Sequence, residues 1–261
     1  MTSDRRKKRN LAAVEALATV TTPGGVERLT GPGGLTRADL ESGPIRDLIA
    51  REARSGEMRS DAELDASRAE TFRGFEGDVW VFGYGSLMWN AIFAVEERRV
   101  VRINGYHRSF CLRSTAGRGS PERPGLMLGL DRGGASVGVA LRMARENIDS
   151  ELALLWRREM SIGSYLAKWL RAKGNEGEIR VLAFVANRGA DNYVGSLPEG
   201  ETARLVATGA GFLGSNLDYL VRTRESLIQH GISDRKVDSL MRRCALGSEA
   251  TIEATRHPFR T

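Results

Sequence analysis

A carboxylate stands out of place in this 261-residue chain. In the stretch "IDSELALLWRREM", Ile148, Leu152, Leu155 and Glu159 fall at i, i+4, i+7 and i+11, which is one face of a helix. Three of the four are apolar. Glu159 puts a charge where the pattern asks for leucine, and the spacing sends Arg157 and Arg158 elsewhere. Two readings stand open: the helix is ending and Glu159 reaches solvent or pairs with a buried arginine, or the carboxyl lies near an apolar face and is desolvated. Desolvation disfavours the ionised form and moves the pKa towards neutrality. Such a group can take and return a proton at physiological pH.

The second feature is "DVWVFGYGSLMWN", residues 78–90, an apolar strand that breaks into Gly-Tyr-Gly-Ser. It has no lysine to meet a phosphate, so it is not a P-loop. Gly83 and Gly85 are expected to take positive φ and let the main chain approach a ligand, with successive N–H groups aimed at a carboxylate or a developing oxyanion. Tyr84 and Ser86 add hydroxyls for orientation. Taken alone, the stretch reads equally as a turn that ends a strand.

Other chemistries find little support. His107, His230 and His257 have no second metal-type ligand at helical or hairpin spacing, so no metal site is expected. His230 precedes a glycine that reads as a helix C-cap. Cys111 and Cys244 lie far apart and form no metal-ligand or redox spacing, which reads as two reduced structural thiols in a cytoplasmic protein. The net charge of +6 is concentrated in "RRKKR" at residues 5–9, and the remainder is nearly neutral. Such a run next to a terminus reads as a solvated tail before a nucleic-acid or membrane arm. The following "LAAVEALATV" starts like a secretory h-region but is interrupted by Glu15, and no apolar run approaches the ~18 residues that span a bilayer.

These residues must be positioned by a fold whose elements can be read in outline. Residues 1–75 are poor in aromatics and carry the turn clusters "TTPGG" and "TGPGG" between short helical patterns, an N-terminal extension. Ser60 and Glu63 have the spacing of a capping box and open a short helix. Residues 76–250 form the main domain and 251–261 a C-terminal tail. Asn104-Gly105 predicts a hairpin inside "RRVVRINGYHRSFCLRST", and Arg132-Gly133-Gly134 a second inside "GLMLGLDRGGASVGVALRM". A strand, "EIRVLAFVANR", follows, and helical patterns "ETARLVATG", "SNLDYLVRTRESLIQHG" and "SDRKVDSLMRRCAL" close the chain. Hairpins first and helices last predict an α+β fold with five or six strands in a small barrel or curled sheet. Between the hairpins, "RGSPERPG" is a long loop. Its Arg118 and Arg123 read either as carboxylate receptors or as part of an exposed connector.

The motifs "VWVFGYGSLMWN", "GYHRSFCLRSTAGRGSPERPGLMLGLDRGG", "GVALRM", "LALLWRREMSIGSYLAKWL" and "GSNLDYL" occur in order at family-like spacing. Together they resemble the ChaC-like gamma-glutamylcyclotransferases in their bacterial form, from about Asp61 to about Leu246. The chain departs from that pattern at Ala167, where proline is usual, at Tyr106, where tryptophan is common, and in its longer, basic first 60 residues. The resemblance implies a small mixed β-barrel with flanking helices and an enzyme that cleaves glutathione to 5-oxoproline and cysteinylglycine without metal or organic cofactor. It further implies that Val81, Phe82, Gly83, Tyr84, Gly85, Ser86 and Leu87 form the substrate-binding loop, that Glu159 is the catalytic proton acceptor, and that Tyr219 lies near the same pocket. Other gamma-glutamyl amines or dipeptides as substrate, or a noncatalytic binding protein of the same fold, stand as alternatives, and the oligomeric state is left open.

Overall fold

The barrel is built around one short, wholly buried strand. The computed structural model describes residues 34–41, 49 and 58–256. The elements are α1 (Arg37–Glu41), α2 (Asp61–Thr71), β1 (Trp80–Gly83), a 3-10 turn (Ser86–Met88), β2 (Val95–Ser114), β3 (Gly125–Met143), α3 (Ile148–Glu159), β4 (Tyr165–Gly174), β5 (Gly177–Ala186), α4 (Glu199–Thr208), β6 (Ala210–Gly211), β7 (Gly214–Ser215), α5 (Asn216–Gln229) and α6 (Arg235–Arg256). All four residues of β1 are buried, which is why "VWVF" is continuously apolar instead of alternating. β1 pairs antiparallel with β3, Trp80 opposite Arg142, and parallel with β5, Val81 opposite Leu182. The strand order β1-β3-β2-β4-β5 closes on itself as a mixed barrel. This is the α+β barrel with flanking helices that the sequence predicts.

The two predicted hairpins are one. β2 and β3 run antiparallel along their whole length, from Val95 opposite Met143 to Ser114 opposite Gly125, and residues 115–124 make the turn. Gly105, at φ +83°, faces Gly133 and Gly134, at φ +97° and +66°, where the register shifts between Asn104 and Tyr106. Turn-forming residues aligned on both strands bend the ribbon at one place without reversing either chain. β4 is a strand that the periodicity does not reveal. It pairs with β5 through a two-residue turn, Gly174 opposite Gly177, and its first six residues are all half-buried, so neither face is clearly apolar.

The helices are held by identifiable contacts. α2 begins with the predicted capping box, Ser60 and Glu63 satisfying each other's backbone N–H, and the Arg68 guanidinium donates to Asp149 O at 2.7 Å on α3. Trp156 of α3 is buried against Phe72 and Phe184. Ser215 caps α5, and Gly231, at φ +67°, follows its C-cap His230 as predicted. α6 continues to Arg256, into the stretch read as a tail. Cys111 and Cys244 are buried thiols outside any disulfide, and burial pushes them up to about 12 and about 11. Among the described residues no helix is long and apolar enough to cross a membrane. The basic run at 5–9, "LAAVEALATV", "TTPGG", most of "TGPGG", His257 and residues 257–261 lie outside the described residues.

Candidate active site

Three segments distant in sequence meet at a cavity of about 170 Å3 whose lining includes Ser86, Trp89, Glu159, Tyr165, Asn192 and Tyr219. The first is the glycine-rich loop after β1. Its 3-10 turn closes with Met88 N–H donating to Gly85 O at 3.0 Å and Asn90 N–H to Ser86 O at 2.7 Å. From behind, the buried Arg108 donates through Nε to Tyr84 O at 2.6 Å and through Nη2 to Val137 O at 2.8 Å, while Nη1 pairs with Asp234. The loop is therefore tied to β2, β3 and the start of α6.

Gly83 and Gly85 are required for space and not for positive φ, contrary to expectation. Neither lies in the left-handed region. A Cβ on Gly83 would meet Met88 N at 3.3 Å and Val139 O at 3.4 Å. On Gly85 it would meet the Tyr219 hydroxyl at 2.8 Å.

The second segment is the end of α3. Glu159 is its last residue, with a side chain 11% exposed. Burial raises the carboxyl pKa above the usual carboxylate range, and the adjacent Arg158 charge opposes that without cancelling it. Arg158 does not project away. Its side chain is 7% exposed, its Nε lies 3.0 Å from Glu159 Oε1, and its Nη2 donates to Ser86 Oγ at 2.8 Å. Nη1 reaches Asn90 O. One guanidinium thus joins the carboxylate to the loop. Both readings of Glu159 hold in part: the helix ends there and an arginine pairs with it, yet the carboxyl stays desolvated.

The third segment is the first turn of α5. Asn216, fully buried, accepts from Leu126 N–H at 2.7 Å and donates to Leu126 O at 2.8 Å, fastening the helix to β3 like an added strand residue. This places Tyr219 beside Gly85, with its ring edge-on to Trp89 and Phe110 at 6.3 and 6.2 Å. It also places Asp218 against Arg118, Nη1 to Oδ2 at 2.6 Å. Arg118 is buried and lines the cavity, so it is no exposed connector. Burial lifts the Asp218 carboxyl, but the Arg118 hydrogen bond and the charges of Arg118 and Arg222 outweigh that and leave it below the usual range. Arg123 instead donates to Thr208 O at 3.1 Å.

Of the nine residues singled out by sequence, Ser86, Glu159 and Tyr219 line the cavity together, and Gly85 lies against Tyr219. Val81, Phe82 and Leu87 have core side chains. Tyr84 turns inward, its hydroxyl donating to Phe184 O at 2.8 Å. Burial pushes the phenols of Tyr84, Tyr165 and Tyr219 upward, and the Glu159 charge adds to this in each, so all three keep their protons. Sequence reasoning missed Arg158, Tyr165, Trp89 and Asn192. Tyr165 and Arg158 sit inside the quoted "REMSIGSY" run, which was the available signal; nothing local marks Asn192. Trp89 Nε1 and Asn192 Oδ1 are buried with no hydrogen-bond partner among the described residues, a donor and an acceptor available to a polar ligand.

The comparisons with known proteins agree with this architecture. The family model described as ChaC-like protein matches residues 79–245. The glutathione-specific gamma-glutamylcyclotransferase of Escherichia coli (strain K12) is 40% identical over 188 residues, 72% of this chain and 80% of that protein. Human glutathione-specific gamma-glutamylcyclotransferase 1 is 36% identical over 149 residues, 55% of this chain and 67% of that protein. A crystal structure of a yeast gamma-glutamyl cyclotransferase specific to glutathione shares the fold with a TM-score of 0.59 at 21% identity, covering 65% of this chain and 96% of that one. The match over the whole barrel, with an E. coli relative alike along most of its length, shows that the chain belongs to the ChaC-like protein family.

Proposed function

We propose that the protein is a glutathione-specific gamma-glutamylcyclotransferase and that Glu159 is its general acid/base, with the activity carried by residues 76–250. The observation that carries this reading is a carboxyl buried at the end of α3 and facing a cavity bounded by neutral hydroxyls and a glycine-rich loop, where burial pushes its pKa upward. In the reaction the substrate's α-ammonium gives a proton to Glu159, and the freed amine attacks the γ-carbonyl carbon of the same molecule. Glu159 returns the proton to the leaving nitrogen as the C–N bond to cysteine breaks, and the second proton of the attacking nitrogen follows it through the same carboxyl, so that the lactam keeps one N–H and cysteinylglycine leaves as its ammonium. One glutathione gives one 5-oxoproline and one cysteinylglycine, with no water consumed and no covalent enzyme intermediate.

An α-amino group titrates near 8, so an ordinary glutamate at about 4.3 is a poor match for its proton and a raised one is better. The loop's task is to hold the γ-glutamyl group folded for ring closure, where good orientation can be worth roughly 7–11 kcal/mol. The N–H groups that open the 3-10 turn, which no side chain caps, suit the oxyanion that develops on the γ-carbonyl oxygen. Ser86, steadied by Arg158, and Tyr219 supply hydroxyls beside it. We also place the protein in the cytoplasm, where two buried thiols outside any disulfide suit a reducing compartment. The test is release of 5-oxoproline and cysteinylglycine from glutathione, compared with gamma-glutamyl-alanine. A folded protein that releases neither from glutathione sinks the reading.

A further inference from the structure

Resting on that reading, one cation at the cavity is left without a task among the described residues. Among the described residues, three basic side chains belong to residues lining the cavity: Arg113, Arg118 and Arg158. Arg118 is paired with Asp218 and Arg158 with Glu159. Arg113 is exposed, and its side chain has no carboxylate partner among the described residues. Its backbone is nevertheless fixed: Arg113 N–H donates to Asn192 O at 2.8 Å, and Asn192 Nδ2 donates to Arg113 O at 3.2 Å. The same Nδ2 donates to Ser164 Oγ at 2.9 Å, so the amide is oriented with Oδ1 pointing elsewhere, and that oxygen is the partnerless acceptor noted above. An unused cation and an unused buried acceptor therefore sit on two hydrogen-bonded neighbours at the rim.

The proposed substrate has groups that match both. Its γ-glutamyl end is committed to Glu159 and the loop. Beyond the scissile bond it carries a peptide N–H and a terminal carboxylate, on a chain whose three residues reach roughly 10 Å when extended. We propose that Arg113 and Asn192 form the specificity subsite for the leaving dipeptide, Arg113 binding the terminal glycine carboxylate and Asn192 Oδ1 accepting the N–H of the cysteinyl-glycine peptide bond. Neither touches the reacting atoms. Their work is to choose among gamma-glutamyl compounds by the far end of the molecule, and an ionised carboxylate there is read by an otherwise uncompensated charge.

The test compares wild type, Arg113→Gln and Arg113→Lys on glutathione and on the analogue whose glycine carboxylate is an amide, following 5-oxoproline at two salt concentrations. With Arg113→Gln, kcat/KM for glutathione should fall about 10- to 100-fold, chiefly through KM, as loss of a charge-assisted hydrogen bond predicts, and less than about threefold for the amide. Arg113→Lys should recover part of the loss. The salt dependence of KM for glutathione should flatten in Arg113→Gln. Asn192→Ala should weaken both substrates alike, because both keep the peptide N–H. An equal loss on both substrates in Arg113→Gln, or none on either, overturns the assignment while leaving the cyclotransferase reading intact. A wild-type protein that does not turn over glutathione overturns both.

Discussion

The contact between Gly85 and Tyr219 makes a prediction that can be worked through quantitatively. Gly85 has φ −143°, so alanine carries no left-handed strain there. Its methyl group would nonetheless come within 2.8 Å of the Tyr219 hydroxyl, with Leu128 Cδ1 next at 3.5 Å, an ordinary contact. Tyr219 is 3% exposed and wedged edge-on between Trp89 and Phe110, so it cannot simply retreat. Overpacking of this kind costs about 1–3 kcal/mol. At an m-value near the top of the ~1–3 kcal/mol/M range for urea, 2 kcal/mol lowers the unfolding midpoint by roughly 0.7 M. Tyr219→Phe removes the colliding oxygen but also a buried polar group beside the Leu128 backbone, a loss of about 0.5–1.5 kcal/mol. In the double variant the collision is gone, so its cost should approach that of Tyr219→Phe alone. The coupling energy from urea unfolding of all four proteins should then be at least about 1 kcal/mol, against the ~0.3–0.5 kcal/mol within which independent sites add. Additive costs would refute the claim that Gly85 is glycine because of Tyr219.

Three further outcomes follow from the charges around the loop. Arg158→Met removes the cation that opposes the rise in the Glu159 pKa, so the acid limb of kcat/KM should move to higher pH, and the freed Ser86 and Asn90 contacts should lower the rate about 10- to 100-fold; an unshifted limb contradicts the pairing. Arg108→Met strands Asp234 and leaves Tyr84 O without its donor, which should cost about 3–5 kcal/mol in urea unfolding, and less in the Arg108→Met/Asp234→Asn double variant than the two single costs combined. Because the folded pKa of Glu159 lies above its unfolded value, the folded state binds this proton more tightly, and stability from this group is present below about pH 4.5 and lost as pH rises through the folded pKa. Glu159→Gln should therefore gain stability relative to wild type from about pH 4.5 upward, and a relative loss over that window would show that the carboxyl is not desolvated.

Legibility in the sequence followed the range of the interactions. Glu159 is visible because a charge at an apolar helical position breaks a local pattern, and the loop because glycines interrupt a buried strand. Arg158 is not, since periodicity turns it away from Glu159 and only the end of the helix and a long flexible side chain bring its guanidinium back. The β2–β3 ribbon was misjudged at Asn104-Gly105 because turn chemistry is local, whereas the glycines of β3 that face it, nearly thirty residues on, convert the turn into a bend. β4 hides behind Lys168, Arg171 and Lys173 in a strand half-covered on both faces. The pairing of Arg118 with Asp218 spans one hundred residues and has no local signature. What the sequence alone left undecided about Arg118, carboxylate receptor or exposed connector, depended on that contact, which buries its guanidinium against Asp218.

The most direct test of the central claim is glutathione turnover by purified Glu159→Gln, with substrate binding followed on the same protein by calorimetry. The account predicts a folded variant that still binds glutathione while 5-oxoproline release falls by about 10²–10⁴-fold, the range of a lost general acid/base. Turnover within a few-fold of wild type in that folded, binding-competent variant would contradict it.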